Sequence, residues 1–111
     1  MTVVRLDEIV ATGLAGNGVQ CTLTDGAGDL NVNLVHLDPG SEIPGHVNSE
    51  VDVLMVVLDG SGVLRVDEMD HELVGTALAY VAQGQQRSMV AGPDGLTYLT
   101  AHRSRGPLRV N

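Results

Sequence analysis

The sequence predicts an all-β protein, a sandwich or small barrel, and three observations carry that expectation. Apolar residues come in short runs dominated by Val and Leu, types that favour pleated, half-buried surfaces. Between the runs stand strong turn signals such as Asp25-Gly26-Ala27-Gly28, Asp38-Pro39-Gly40 and Gly92-Pro93-Asp94-Gly95, drawn from 14 glycines and 4 prolines. Aromatic residues make up 2% of the chain, Tyr80 and Tyr98 alone, so a core must be assembled from Val, Leu, Ile and Met. With 43% hydrophobic residues, 111 residues suffice for one domain with a single core. The expected organisation is one unit over 1–111, with a barrel over about 19–102. The segments 1–18 and 103–111 pack outside it or at a subunit interface.

Residues 3–11 fit either a short helix or an opening strand, and Gly13, Gly16 and Gly18 end any helix there. Residues 19–24 read as a strand. Residues 30–37 alternate, with Leu30, Val32, Leu34 and His36 on one face and Asn31, Asn33, Val35 and Leu37 on the other. The run 53–58 is joined by Asp59-Gly60-Ser61-Gly62 to 63–66, which predicts a hairpin. Asp67-Glu68-Met69-Asp70 is a second polar turn. Strands over 71–74, 77–82, 87–90 and 96–101 complete eight or nine short elements at regular spacing, the pattern of a sandwich or small barrel. Neither a linker nor a repeat interrupts them.

The net charge of −8 and the absence of any basic stripe argue against nucleic acid. All six basic residues are Arg, and Arg103, Arg105 and Arg109 lie in the tail. One cysteine, Cys21, excludes an intrachain disulfide. No apolar run approaches the ~20 residues of a membrane span and no leader is recognisable, so a cytoplasmic location is expected.

The most informative stretch runs from Pro39 to Gly60. It offers His46, Asn48, Glu50 and Asp52 at alternate positions just before an apolar strand. Such a row would line one face of an extended segment, and a pocket mouth is the simplest reason for it. Gly40, His46, Asn48 and Leu58-Asp59-Gly60 resemble the first motif of the cupins, small jelly-roll barrels, with Asn48 where a second histidine stands. Counting three residues on from Asn48 puts the motif's acidic position at Asp52; counting back from Gly60 puts it at Val53, and a one-residue bulge reconciles the two. Ala82-Gln83-Gly84-Gln85-Gln86-Arg87 resembles the second motif, with Ala82 for its proline, Arg87 for its histidine, Thr76 for its leading glycine and Ala91 for its asparagine. The resemblance spans about 30–101 and implies a single-domain cupin-like jelly-roll β-barrel of antiparallel strands.

Cupins with complete motifs hold a transition metal by three histidines and a glutamate. Here only His46 stands at a motif histidine, and Arg87 has no lone pair to offer a metal. No metal is expected at the usual site. Instead Arg87 is expected to be the internal cation, pairing with Asp52 or Glu50, so that the metal-free protein is fully folded and chelation leaves its melting temperature unchanged.

The ligand-binding candidates are therefore His46, Asn48, Asp52, Arg87 and His102, around a small polar or anionic molecule. The alternative is an oxygenase or isomerase with a divalent transition metal on His46, His102 and a carboxylate, Asp52 or Glu50, or a metal-free enzyme with His46 as general base. His36 reads as a satisfied wall residue, His71 as surface and Cys21 as a buried thiol. A homodimer is expected, both from the resemblance and because open edge strands gain from being covered.

Overall fold

The computed structural model describes residues 3–24 and 28–104. A six-residue helix α1 (Leu6–Ala11) precedes seven strands: β1 (Gly18–Thr22), β2 (Leu30–Leu37), β3 (Glu42–Val47), β4 (Val53–Val66), β5 (Met69–Val74), β6 (Leu78–Val81) and β7 (Gln86–Arg103). Every strand pairing is antiparallel. The all-β expectation holds, and the ambiguous opening segment is the helix. Among the described residues no helix is long and apolar enough to cross a membrane.

Two long strands organise the barrel. The first half of β4 pairs with β6 and with the second half of β7; its second half pairs with β5 and with the first half of β7. β7 in turn carries β3 at its start and β2 along its end, and β1 lies beyond β2. Both strands therefore pass from one wall to the other. Their shared corner is made of glycine: Gly60 and Gly62 of β4 lie opposite Leu96 and Ala91 of β7. Gly60 and Gly95 both adopt left-handed φ, +82° and +81°, and a Cβ at Gly60 would overlap the Gly95 carbonyl oxygen. The register slips twice here, the mark of bulges that turn a strand through a corner.

This corrects the expected hairpin at 59–62 and the expected turn at 91–95. Both are bends inside continuous strands, so among the described residues seven strands replace the eight or nine expected. The hairpin between β4 and β5 is real but tighter than the four-residue turn expected: Asp67 and Glu68 take φ of 48° and 72°, the double left-handed geometry of a two-residue connection.

Inside lie Val35, Leu37, Val53, Met55, Val57, Leu64, Leu73, Val81, Met89, Leu96 and Tyr98, in one aliphatic cluster with a single aromatic ring. Residues of opposite parity form a second face, exposed at Leu78 and Tyr80 but covered at Leu34, His36 and Thr97, which are 0%, 8% and 3% exposed. Tyr80, Leu54, Ala101 and Val32 are successive cross-strand partners over β6, β4, β7 and β2, as are Leu78, Val56, Leu99 and Leu34. The outer wall is thus apolar as well, and α1 lies at its margin beside Leu58.

Candidate functional site

The open end of the barrel is framed by β3, β4 and β7. β3 pairs with the start of β7, and the ladder slips between Ile43 and His46. Pro44 and Gly45 occupy that slip, where the missing proline N–H costs no ladder bond. Past the bulge His46 lies directly opposite Arg87, so both side chains leave the sheet on the same side. Arg87 shares strand parity with Met89 and Ala91, which are 5% and 4% exposed, so its face is the inner one. The Asp67 carboxylate accepts from the Gln86 N–H at 3.0 Å and from Gln85 Nε2 at 3.0 Å, fixing the start of β7 just before Arg87.

Arg87 Nε donates to His46 Nε2 at 3.2 Å, and His46 Nδ1 lies 3.1 Å from the Pro44 carbonyl. The ring thus has its proton on Nδ1 and its Nε2 lone pair turned to the guanidinium. Below the pair is a cavity of about 80 Å3, floored by Ile43, Val53, Met55, Leu64 and Met89. Tyr98 and Thr100 bring hydroxyls to its wall. Above it, a vestibule of about 420 Å3 is bordered by His46, Val47, Asn48, Ser49, Glu50 and Arg87. Arg87 belongs to both. Burial pushes the Tyr98 phenol up to about 12 while the Arg87 charge pulls it down, so these two groups feel each other across the cavity.

The remaining candidates are placed differently. β3 ends at Val47, and residues 48–52 form a turn rather than a strand, so the alternate row does not share one face. Asn48 Oδ1 accepts from the Glu50 and Val51 N–H groups at 3.0 and 3.2 Å, which gives this side chain a turn-forming role at the vestibule rim. Glu50 is exposed and borders the vestibule together with Arg87.

Asp52 faces outward, against the expectation that it points in and pairs with Arg87. Val51 and Val53, each 4% exposed, take the interior, and side-chain alternation sends the residue between them to the surface. There its carboxylate accepts from the Tyr80 hydroxyl and from the Gln83 N–H at 2.7 Å. These bonds, Tyr80 first, hold the Asp52 pKa below its usual value and raise that of Tyr80.

His102 sits at the end of β7 opposite Asn31, with Nδ1 2.9 Å from the Arg103 carbonyl, and borders neither the cavity nor the vestibule. The rearranged metal site of His46, His102 and a carboxylate is therefore not assembled. Among the described residues no three His, Cys, Asp or Glu side chains gather as a metal-holding group. His36 is a buried wall residue as expected, with Nδ1 2.7 Å from Thr97 Oγ1 and Nε2 3.3 Å from Asp38 Oδ1. His71 is exposed, and Cys21 is a half-buried free thiol. Tyr98 is the residue that sequence reasoning passed over. Its signal was a polar-tipped aromatic in the middle of the apolar run 96–101.

A bent antiparallel barrel with its mouth framed by the two motif segments defines the class: the chain folds as a small cupin-type domain. Comparison with solved structures agrees. A cupin-2 domain protein from Shewanella frigidimarina superposes with a TM-score of 0.75 at 12% identity, over 89% of this chain and 92% of that one. KdgF from a Halomonas species gives 0.71 at 15% identity, over 80% of each chain. The cupin domain of Cnp3 from Schizosaccharomyces pombe gives 0.70 at 16% identity, over 80% of this chain and 65% of that one.

Among curated proteins, the dimethylsulfoniopropionate lyase DddW of Ruegeria pomeroyi is 26% identical over 70 residues, 63% of this chain. The match spans 45% of that lyase's length. No protein-family model matches the chain.

The donor set at the mouth does not fit the three-histidine, one-glutamate arrangement that the fold implies. His46 is the imidazole at the mouth, and its Nε2 faces the Arg87 guanidinium, which has no lone pair to give a metal.

Proposed function

We propose that this chain is a binding barrel for a small organic anion, held at the mouth by the Arg87 guanidinium over an apolar floor. The observation that carries this reading is the placement of Arg87: on the inner face of β7, aligned by His46, and shared by the deep cavity and the open vestibule. A fixed cation beside a low-dielectric floor attracts a carboxylate more strongly than the same cation in water. The net charge of −8 opposes anions at long range, but at physiological salt that repulsion is screened beyond ~8 Å. The cavity of about 80 Å3 takes only a short chain, so the carboxylate remains at the level of Arg87. The His46 lone pair is engaged by Arg87, which weighs against His46 as a general base.

Calorimetric titration with propionate and propionamide tests this. Propionate binds, the neutral amide binds at least tenfold more weakly, and Arg87→Gln abolishes the difference, a loss of about 1.5–3 kcal/mol for a charge-assisted contact. Equal affinity for acid and amide refutes the reading.

The similarity to a dimethylsulfoniopropionate lyase favours a second reading, in which the bound anion is a substrate and the chain an enzyme. Release of a volatile thioether from dimethylsulfoniopropionate, above a protein-free control, distinguishes turnover from binding alone.

We also propose that the chain works as a homodimer, with the apolar outer wall around Leu78 and Tyr80 of β6 and the adjoining half of β4 as the shared surface.

A further inference from the structure

The cavity wall carries a group that the Arg87 reading leaves without a task. Tyr98 is 4% exposed, and its cross-strand neighbours are Val35 on β2 and Val57 on β4, 7% and 1% exposed. The ring is therefore clamped between two aliphatic walls. Its hydroxyl borders the cavity, and no hydrogen bond to it is made among the described residues. The ring is buried but the hydroxyl opens onto the cavity, so its donor and acceptor capacity is turned to whatever fills that space, which a phenylalanine of the same shape would not offer. Thr100 adds a second hydroxyl to the lining, and Ile43, Met55 and Leu64 make much of the rest apolar.

We infer that Tyr98 is a specificity-determining residue: its O–H donates to a second oxygen of the ligand, one not belonging to the carboxylate held by Arg87. The ligand class is thus a short oxygen-substituted carboxylate, a hydroxy or keto acid of three or four carbons. This rests on the reading of Arg87 as the anion anchor and adds what lies beyond the anchor. Size agrees with it. A cavity of about 80 Å3 accepts only a handful of heavy atoms beyond the carboxylate. Charge agrees as well. Burial raises the phenol to about 12, so at neutral pH it keeps its proton and acts as a donor.

The test is calorimetry with lactate, 3-hydroxypropionate and propionate on the wild type and on Tyr98→Phe, with melting temperatures of both as a fold control. One of the two hydroxy acids binds the wild type about tenfold more tightly than propionate, the value of one well-formed hydrogen bond. Tyr98→Phe removes that preference and leaves propionate affinity within about twofold. A preference that survives in Tyr98→Phe overturns the inference while the Arg87 reading stands. So does a wild type that binds propionate but does not discriminate, an outcome readable even if the variant fails to fold. If none of the three acids binds the wild type, the Arg87 reading fails and this inference fails with it.

Discussion

Arg87 and Tyr98 divide the electrostatics of the mouth between them, one as a fixed cation and the other as a donor that burial keeps neutral. The second role has a consequence for stability. With its native pKa raised from 10 to about 12, Tyr98 contributes stability that is fully present below pH 10 and is lost as pH rises towards 12. Two units correspond to about 3 kcal/mol. Unfolding by urea at pH 9 and at pH 12 should therefore show a smaller loss in Tyr98→Phe than in the wild type. Equal losses in the two proteins contradict a neutral, buried phenol.

At this scale the sequence was legible where two motif positions fell at fixed offsets, as for His46 and Arg87, which prove to be cross-strand neighbours 3.2 Å apart. It was not legible for Asp52, because the facing of a side chain depends on where a strand begins. β4 begins at Val53, one residue later than a regular polar row would need.

The elements that shape the mouth are β4 and β7, and their bend depends on glycine. Gly60 combines a left-handed φ with a backbone carbonyl where its Cβ would be, whereas Gly84, at φ +87°, has nothing within 4 Å of that position. Gly84→Ala carries the backbone cost alone, about 1–2 kcal/mol. Gly60→Ala adds a clash between two strands that have no room to part, and is expected to cost about 3 kcal/mol or more. Denaturant midpoints of the two variants check the order, and a Gly60→Ala protein as stable as Gly84→Ala refutes the corner. These glycines were misread as hairpin punctuation for a physical reason. A bulge and a turn both need residues free of Cβ, and local composition does not say whether the chain reverses or only bends. Strand periodicity along 30–37 needed no such distinction and coincides with β2, while 53–58 gave the start of β4 but not its continuation to Val66.

At the scale of the molecule the barrel has two apolar surfaces, one enclosed and one facing out. Leu78 and Tyr80 at one margin of the outer wall are 64% and 61% exposed. A second copy laid against this wall would cover it, which is where the homodimer expectation finds a surface. Sedimentation should give a dimer at micromolar concentration. Leu78→Glu, exposed enough to leave the monomer fold intact, should shift the equilibrium towards monomer. A wild type that sediments as a monomer rules the interface out.

The sequence alone determined that this chain is β-rich, that its core is aliphatic, and that two degenerate motifs lie about forty residues apart on a cupin-like barrel. Those properties are written in neighbouring residues, through alternation, turn chemistry and spacing. Only the tertiary structure decided that Arg87 stands over a cavity with Tyr98 below it, that Asp52 looks outward, and that His102 stays apart from His46. Each of these depends on pairing register between distant strands, and register is set by the packing of the whole core at once.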